Sequence, residues 1–440
     1  MELNKIICGD ALEVLKTFPD ECIDTCVTSP PYYGLRNYGE GTIKIWGGNP
    51  DCQHEWLNTP PRRRRHPEDV KNLNSKQATN CGANCELPTQ NICAKCGAWR
   101  GQLGLEPTPE MYVEHLVEIF REVRRVLKKT GTLWLNMGDS YNGSGGAGGD
   151  YNKGGLKEGQ PKYPGRCVSN LKPKDLVGIP WIVALALRTD GWYLRQDIIW
   201  VKPSPMPESV KDRPTKAHEY IFLLSKSEKY FYDADAIRER TGNESDWKKY
   251  IQSFGSNKGA DSDRLGKGYR KHSVPLTHPL GRNKRSVWFI ATEPFPEAHF
   301  ATFPKALVEP CIKAGTSEKG NCPKCGAPWE RVVEKESKKS RKTRDYLIGV
   351  LPGRSKSSRM NSVDMKTLPK IFLGWHPTCS CGIEETVPAV VLDPFMGSGT
   401  VGLVAKSLDR NYIGIELNPK YVEMAERRIY GDLFVGVKND

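Results

Sequence analysis

The chain has 440 residues, 38% of them hydrophobic, with a mean hydropathy of −0.56, a formal net charge of +13 and a pI near 9.0. That length allows two or three compact units and a sizeable core. No apolar run approaches the ~18 residues of a membrane span, and the start, Met1-Glu2-Leu3-Asn4-Lys5, has no basic-then-apolar leader, so the expectation is a cytoplasmic protein with no membrane partner. The positive excess is gathered in runs at 62–65 and 335–344, the second continuing through Arg354, Lys356 and Arg359. One such run is ordinary solvated surface; several favour a polyanion, because lysine and arginine gain affinity by displacing phosphate counterions.

In chain order, residues 4–8 read as a strand ended by Gly9-Asp10, with Asp10 capping a helix over 11–18 whose apolar face is Ala11, Leu12, Val14 and Leu15. A strand over 23–27 follows and delivers Ser29-Pro30-Pro31-Tyr32. Consecutive prolines fix φ near about −65° and remove two donors, so the carbonyls of Ser29 and Pro30 stand as rigid acceptors beside the aromatic pair Tyr32-Tyr33. This rim suits a planar substrate with an exocyclic amine, such as a nucleobase, whose hydrogens need fixed acceptors and whose ring needs a stacking partner. The plainer reading is a surface polyproline turn. The β-α-β opening predicts a parallel sheet with ligands at the carboxyl ends of its strands.

Periodicity disappears from 34 to 105, which reads as an insertion rather than a layer of the sheet. Fourteen cysteines in a reducing compartment are not expected to form disulfides, so their spacing carries the information. Cys93-Ala94-Lys95-Cys96-Gly97 lies downstream of Cys52-Gln53-His54, giving a three-cysteine, one-histidine zinc site in which Cys81 and Cys85 are alternatives to Cys52 and His54. Cys322, Cys325, Cys379 and Cys381 form two knuckle-like pairs and a four-thiolate zinc site. The competing reading is a scatter of buried thiols, which the glycine after the second cysteine of each knuckle disfavours. With full protein ligation, both sites are structural.

Thr108 caps the next helix, Pro109 takes its first position, and Val113, Leu116, Val117, Phe120, Val123 and Leu127 mark its apolar face. A strand over 132–136 follows. The glycine-rich run 143–155 is a linker or a lid. A helix over 176–188 and strands over 193–201 and 217–225 come next. Residues 233–287 interleave basic residues with Trp247, Tyr250, Phe254 and Tyr269, suiting either DNA reading or a plain surface excursion. A strand over 286–291 and a helix over 304–314 return to the core before the second insertion.

Near the end, a buried strand runs through Leu392-Asp393 into Pro394-Phe395-Met396-Gly397-Ser398-Gly399-Thr400 and a helix, and a further strand ends in Glu416. Glycines permit close backbone approach, and a carboxylate at the next strand end can accept from both ribose hydroxyls, so an adenosine-containing cofactor is implied. Gly397, Gly399 and Gly402 match the dinucleotide fingerprint, which makes NAD a competitor. Asp393 argues against it, because a carboxylate there repels a pyrophosphate and favours the cationic methionine end of S-adenosylmethionine.

The stretches Val-Thr-Ser-Pro-Pro-Tyr and Asp-Pro-Phe-Met-Gly-Ser-Gly-Thr closely resemble the catalytic and cofactor motifs of the DNA amino-methyltransferases, and their order resembles the β class of that family. The resemblance implies a Rossmann-like methyltransferase fold with a mostly parallel sheet, here with two cysteine-rich zinc-binding insertions and a loop-rich DNA-recognition region. It implies methylation of a flipped base, cytosine N4 in the serine form of the motif, with adenine N6 the alternative. Ser29, Pro30, Pro31 and Tyr32 then serve catalysis. Asp393, Pro394, Phe395, Gly397, Gly399 and Thr400 line the methionine end of the cofactor, Glu416 holds the ribose, and Asp10 lies near the adenine. Thr28 joins this set, as do Phe303 and Pro304 from His299-Phe300-Ala301-Thr302-Phe303-Pro304, which resembles an additional cofactor-contacting motif.

The implied layout is core at 1–34, insertion at 35–105, core at 106–232, target recognition at 233–287, a cofactor-contacting helix at 288–315, insertion at 316–385 and cofactor-binding core at 386–440. The implied partners are double-stranded DNA and a cognate restriction endonuclease. The rival class is an inactive, zinc-bearing DNA-binding protein.

Overall fold

The computed structural model describes residues 2–35, 38, 40–57, 91–142, 171–172, 174–205, 207–208, 210–239, 282–293, 303–333 and 372–431. The glycine-rich run, the alternatives Cys81 and Cys85, both basic runs, residues 299–302 and most of the expected target-recognition region lie outside them.

In chain order the elements are β1 Lys5–Cys8, α1 Ala11–Lys16, β2 Ile23–Thr28, β3 Lys44–Trp46, β4 Trp56–Leu57, β5 Ile92–Cys93, β6 Trp99–Gly101, α2 Pro109–Val126 and β7 Leu127–Met137. They continue with α3 Ile179–Thr189, β8 Tyr193–Val201, β9 His218–Ser225, β10 Val287–Phe289, α4 Lys305–Gly315, β11 Trp329–Val333 and β12 Phe372–Pro377. The last are β13 Val390–Asp393, α5 Thr400–Ser407, β14 Asn411–Glu416 and α6 Pro419–Tyr430. The chain divides into two compact units, the first formed by Met1–Tyr232, Ser286–Thr316 and Pro388–Asp440, the second by Asp233–Arg285 and Ser317–Val387.

The first unit is built on an eight-stranded sheet of order β1-β14-β13-β2-β7-β9-β8-β10. Every pairing is parallel except the two made by β9, so this one strand runs against the other seven. The expected α/β class with a mostly parallel sheet is therefore found. All residues of β2 and β13 are buried, the pattern of strands covered on both faces. From β13 the sheet grows outward through β14, and from β2 it grows the other way through β7. The reversal puts a topological switch point between the ends of β2 and β13, where open α/β sheets leave a crevice.

Helix α2 packs against both α1 and α3, and α5 against both α4 and α6. The long α2 starts as the sequence predicts: Thr108 Oγ1 accepts from Met111 N at 3.2 Å and Pro109 follows it. Its buried face carries Tyr112, Val113, Leu116, Ile119, Phe120 and Val123. Truncating the fully buried Leu116 to alanine would cost about 2–5 kcal/mol.

Of the boundaries that differ from expectation, two have clear local reasons. β7 begins at Leu127, directly after α2, because Ile23 pairs with Leu127 and extends the ladder beyond the predicted 132–136. α3 begins at Ile179 rather than 176 because Gly178 turns the chain at φ 81° and the Asp139 carboxylate accepts both the Gly178 and Ile179 N–H groups at 3.0 and 3.1 Å.

The described part of the first insertion is a small antiparallel sheet of order β3-β6-β5-β4 and no layer of the main one. In the second unit, β11 and β12 pair antiparallel.

Candidate active site

The two motif strands end side by side. Val391 and Leu392 of β13 pair with Thr25 and Cys26 of β2, so Thr28 and Asp393 are neighbours at the carboxyl edge. Thr28 Oγ1 donates to Asp393 Oδ1 at 2.6 Å, and the same oxygen accepts from Phe395 N at 3.0 Å. The other oxygen, Oδ2, is buried without a hydrogen-bond partner among the described residues. Burial pushes the Asp393 carboxyl up to about 7, against the lowering effect of the Thr28 and Phe395 hydrogen bonds.

Glu416, at the end of β14, closes the glycine loop from its far side. Its Oε2 accepts from Gly397 N at 2.8 Å and its Oε1 from Asn418 N at 2.9 Å, and burial raises its carboxyl above the ordinary range. Gly397 turns at φ 50°, and a Cβ there would meet only the Phe395 carbonyl oxygen, at 3.9 Å, so the backbone can approach a ligand. Gly402, the third glycine of the apparent dinucleotide fingerprint, serves packing: a Cβ there would meet Met396 Cε at 2.5 Å. From α6, Arg428 donates to Ser398 Oγ and Thr400 Oγ1, both at 2.9 Å, bracing the loop.

A cavity of about 620 Å³ opens over this edge. Ser29, Pro30, Pro31 and Tyr32 line it together with Pro394, Phe395, Gly397, Thr400, Glu416, Asp10 and Phe303. Thr28, Pro304, Asp393 and Gly399 are buried and are not among the residues that line it. Asp10 caps α1 through Glu13 N at 3.2 Å, as predicted, and also pairs with Lys44 Nζ at 2.8 Å.

The Ser-Pro-Pro-Tyr segment is fixed by contacts beyond its own prolines. Tyr112 Oη donates to the Pro31 carbonyl at 2.7 Å, and Gly34 N donates to the Gly104 carbonyl at 2.8 Å. The Tyr32 ring lies against Gly138, where any side chain would come within 2.5 Å of it. Its hydroxyl meets Ser29 Oγ at 3.3 Å, Asn136 Oδ1 at 3.0 Å and Glu219 Oε2 at 2.9 Å, while Lys202 Nζ bonds the other Glu219 oxygen. Cys26 lies within β2 and is fully buried, which pushes its thiol well up, the reverse of an activated nucleophile.

Sequence reasoning missed Asn136, Asp139, Lys202, Lys216 and Glu219 as cavity residues. The available signal was direction. Because β9 runs against its neighbours, its beginning, with Glu219, reaches the edge where the other strands end.

Both metal clusters assemble among the described residues. The Sγ or ring-nitrogen atoms of Cys52, His54, Cys93 and Cys96 lie within 4.8 Å of one another, as do the sulfurs of Cys322, Cys325, Cys379 and Cys381. Cys52 and Cys93 sulfurs stand 3.9 Å apart. A tetrahedral zinc with Zn–S bonds of ~2.3 Å would separate them by about 3.8 Å. The two knuckles share one turn: Gly97 N and Gly326 N donate to the carbonyls of Cys93 and Cys322, with the glycines at φ 74° and 72°. Glycine is required there because φ is positive.

The family model described as DNA methylase matches residues 23–322 and 386–427. The chain belongs to the DNA amino-methyltransferases, the S-adenosylmethionine-dependent type. This methyltransferase is 33% identical over 428 residues to the Type II methyltransferase M.SmaI of Serratia marcescens, covering 97% of this chain and 90% of that protein. It is 34% identical over 441 residues to the Type II methyltransferase M.Cfr9I of Citrobacter freundii, covering 98% of this chain and 90% of that one. Among solved structures, the PvuII DNA methyltransferase (cytosine-N4-specific) matches with a TM-score of 0.45 and 15% identity over 99% of this chain and 91% of that one, a likeness that decides nothing about the reaction. Membership sets aside the NAD reading of the glycine loop. No helix among the described residues is long and apolar enough to cross a membrane.

Proposed function

We propose that this methyltransferase moves a methyl group from S-adenosylmethionine to N4 of a cytosine flipped out of double-stranded DNA. The observation that carries the reading is the meeting of Ser29 and Pro30 with Gly397 and Glu416 on one cavity, across the switch point between β2 and β13. Ser29 Oγ and the Pro30 carbonyl accept from the amine hydrogens, drawing the nitrogen lone pair out of conjugation with the ring. Pro31 stiffens the turn, and Tyr32 offers its ring to the base.

On the cofactor side, Glu416 accepts from the ribose hydroxyls, Asp10 and Lys44 border the adenine end, and Phe303 and Phe395 supply apolar walls. Pro394, Gly397 and Thr400 shape the methionine end. Thr28, Pro304 and Gly399 support that wall from behind. The buried Asp393 oxygen without a partner fits a group of positive charge. When bound, the cofactor supplies an electrophilic methyl on a sulfonium. The preference for cytosine rests on serine at position 29.

Zinc at the two clusters is part of the same proposal, with Cys52, His54, Cys93 and Cys96 holding one ion and Cys322, Cys325, Cys379 and Cys381 the other. A cognate restriction endonuclease is proposed from the Type II relatives, and a cytoplasmic location with it. The deciding experiment is expression in a host lacking modification, digestion of its DNA to nucleosides and identification of the product by mass. N4-methylcytosine is expected. N6-methyladenine would move the assignment to adenine, and no methylated nucleoside would leave a DNA-binding protein.

A further inference from the structure

We propose that Glu219 is the terminal proton acceptor of the reaction, reached from the target amine through Ser29 and Tyr32. This deepens the methyl-transfer reading above and rests on it. The distances form a continuous chain: Ser29 Oγ donates to Tyr32 Oη at 3.3 Å, and Tyr32 Oη donates to Glu219 Oε2 at 2.9 Å. With each hydroxyl donating to the next oxygen of the chain, a proton can be passed along by successive shifts with no side chain having to move.

Transfer to an amine requires such an outlet. As the nitrogen forms its bond to the methyl carbon, the carbon–sulfur bond breaks with its electron pair on sulfur, and the nitrogen carries a positive charge and one proton too many. That proton passes to Ser29 Oγ, the serine proton passes to Tyr32 Oη, and the phenol proton passes to Glu219 Oε2. Serine and tyrosine end neutral as they began, and glutamate ends as the neutral acid. It discharges to solvent once the product leaves.

The surroundings favour this direction. The phenol has one proton and two acceptors in reach, Asn136 Oδ1 at 3.0 Å and the carboxylate, and the charged acceptor is the stronger. Burial pushes the Tyr32 phenol well above its ordinary range, and the Glu219 charge adds to this, so the phenol relays a proton without resting as phenolate. Asn136 is oriented by its own donation to the Tyr220 carbonyl at 3.1 Å. Lys202 holds the carboxylate from the other side, and Lys216 and His218 stand near it on the same cavity wall.

Nothing local in sequence joins the Ser29–Tyr32 pair to its partners, since the pair comes from the loop after β2, Asn136 from β7, Lys202 from just past β8 and Glu219 from β9. The chain also explains why the hydroxyl of Tyr32 is committed to the protein while its ring borders the cavity.

The test is single-turnover methylation of unmodified bacterial DNA by the full chain, with cofactor and DNA affinities measured separately. Glu219→Gln keeps the shape and an acceptor for the phenol but lowers the capacity to take a proton. The expected result is a rate reduced roughly 10²-fold, the low end of general-base effects, with both affinities within twofold of wild type.

Tyr32→Phe, which keeps the ring and removes the relay oxygen, should lose a similar factor. The double variant should lose no more than the worse single one. The wild-type rate should be slower in heavy water, and that difference should shrink in both variants. A Glu219→Gln rate equal to wild type, or an unchanged heavy-water effect, overturns the proposal while leaving methyl transfer standing. If the wild type itself methylates nothing, the reading beneath it has failed instead.

Discussion

Thr28 Oγ1 and Asp393 Oδ1 stand 2.6 Å apart, a hydrogen bond between residues separated by 365 positions in the chain. It ties the strand that leads into Ser29-Pro30 to the strand that leads into the glycine loop, at a point where both side chains are almost wholly buried. Replacing Thr28 by valine keeps the volume and removes the donor. Phe395 N still serves the same oxygen, so the loss is that of one buried hydrogen bond, about 0.5–1.5 kcal/mol, and Thr28→Val should lower the unfolding free energy by that amount, read as a lower urea midpoint with an unchanged slope. It should also weaken cofactor binding, because the carboxylate that orients Phe395 N loses its second anchor. Calorimetric titration with S-adenosylmethionine measures the latter, and an unchanged affinity would show that the bond serves folding alone.

Asp393 predicts a pH dependence with a definite sign. Burial raises its folded-state value to about 7, above the 3.8 of an unperturbed carboxyl. Between these values the folded chain binds more protons than the unfolded one, so this group's contribution to stability is complete below about 4 and is lost as the pH rises through 7. The comparison that isolates it is wild type against Asp393→Asn, whose stability difference should change across that window by a few kcal/mol. A cation placed beside the carboxylate reverses the preference, so cofactor affinity in the wild type should strengthen as the pH approaches 7. In Asp393→Asn it should be weaker and nearly flat.

Much of this arrangement was legible in the sequence because it is local. The buried run 389–392 and the turn after it, the cap and proline at Thr108 and Pro109, and the knuckle glycines each announce a conformation by residue type alone. The parallel, doubly wound plan follows from alternating strand and helix patterns. What the sequence withheld is whatever depends on strand neighbours. That Glu219 stands beside Tyr32 follows from β9 running antiparallel next to β7, and no periodicity within 218–225 encodes that direction. Likewise Asp139 caps a helix from 40 residues upstream, so it falls outside any local capping pattern. The first insertion looked structureless because its strands are two or three residues long, too short to show alternation.

Ser29→Ala tests the amine acceptor directly. In the proposed reaction the serine hydroxyl accepts from the target amine; in the structure it bonds the Tyr32 hydroxyl at 3.3 Å, and the substitution leaves the neighbouring Pro30 carbonyl in place. The variant should fold and bind cofactor as the wild type does, since none of the loop contacts around Gly397 involves Ser29. Its turnover should fall at least tenfold, the equivalent of about 1.4 kcal/mol in the barrier. Quantifying labelled methyl groups incorporated into plasmid DNA checks this. Wild-type turnover would remove the hydroxyl from the reaction and leave the proline carbonyl as the acceptor.

Metal removal should reach the cofactor pocket through the first cluster. Cys93 belongs to β5, β5 pairs with β6, and β6 pairs with β3, whose Lys44 and Trp46 line the cavity. Lys44 holds Asp10 at 2.8 Å, and the buried Trp46 ring stacks on His115 at 4.2 Å, with His115 in turn 3.0 Å from the buried Glu106 carboxylate. A sheet of such short strands has little cohesion of its own, so the proposed ion would be the element that fixes it. Atomic absorption should find two zinc ions per chain, and Cys96→Ser should retain one. That variant should bind S-adenosylmethionine at least tenfold more weakly, while its main thermal transition, set by the eight-stranded sheet, moves by only a few degrees. Loss of the ion with unchanged cofactor affinity would mean that β3 holds its place by the packing of Trp46 alone.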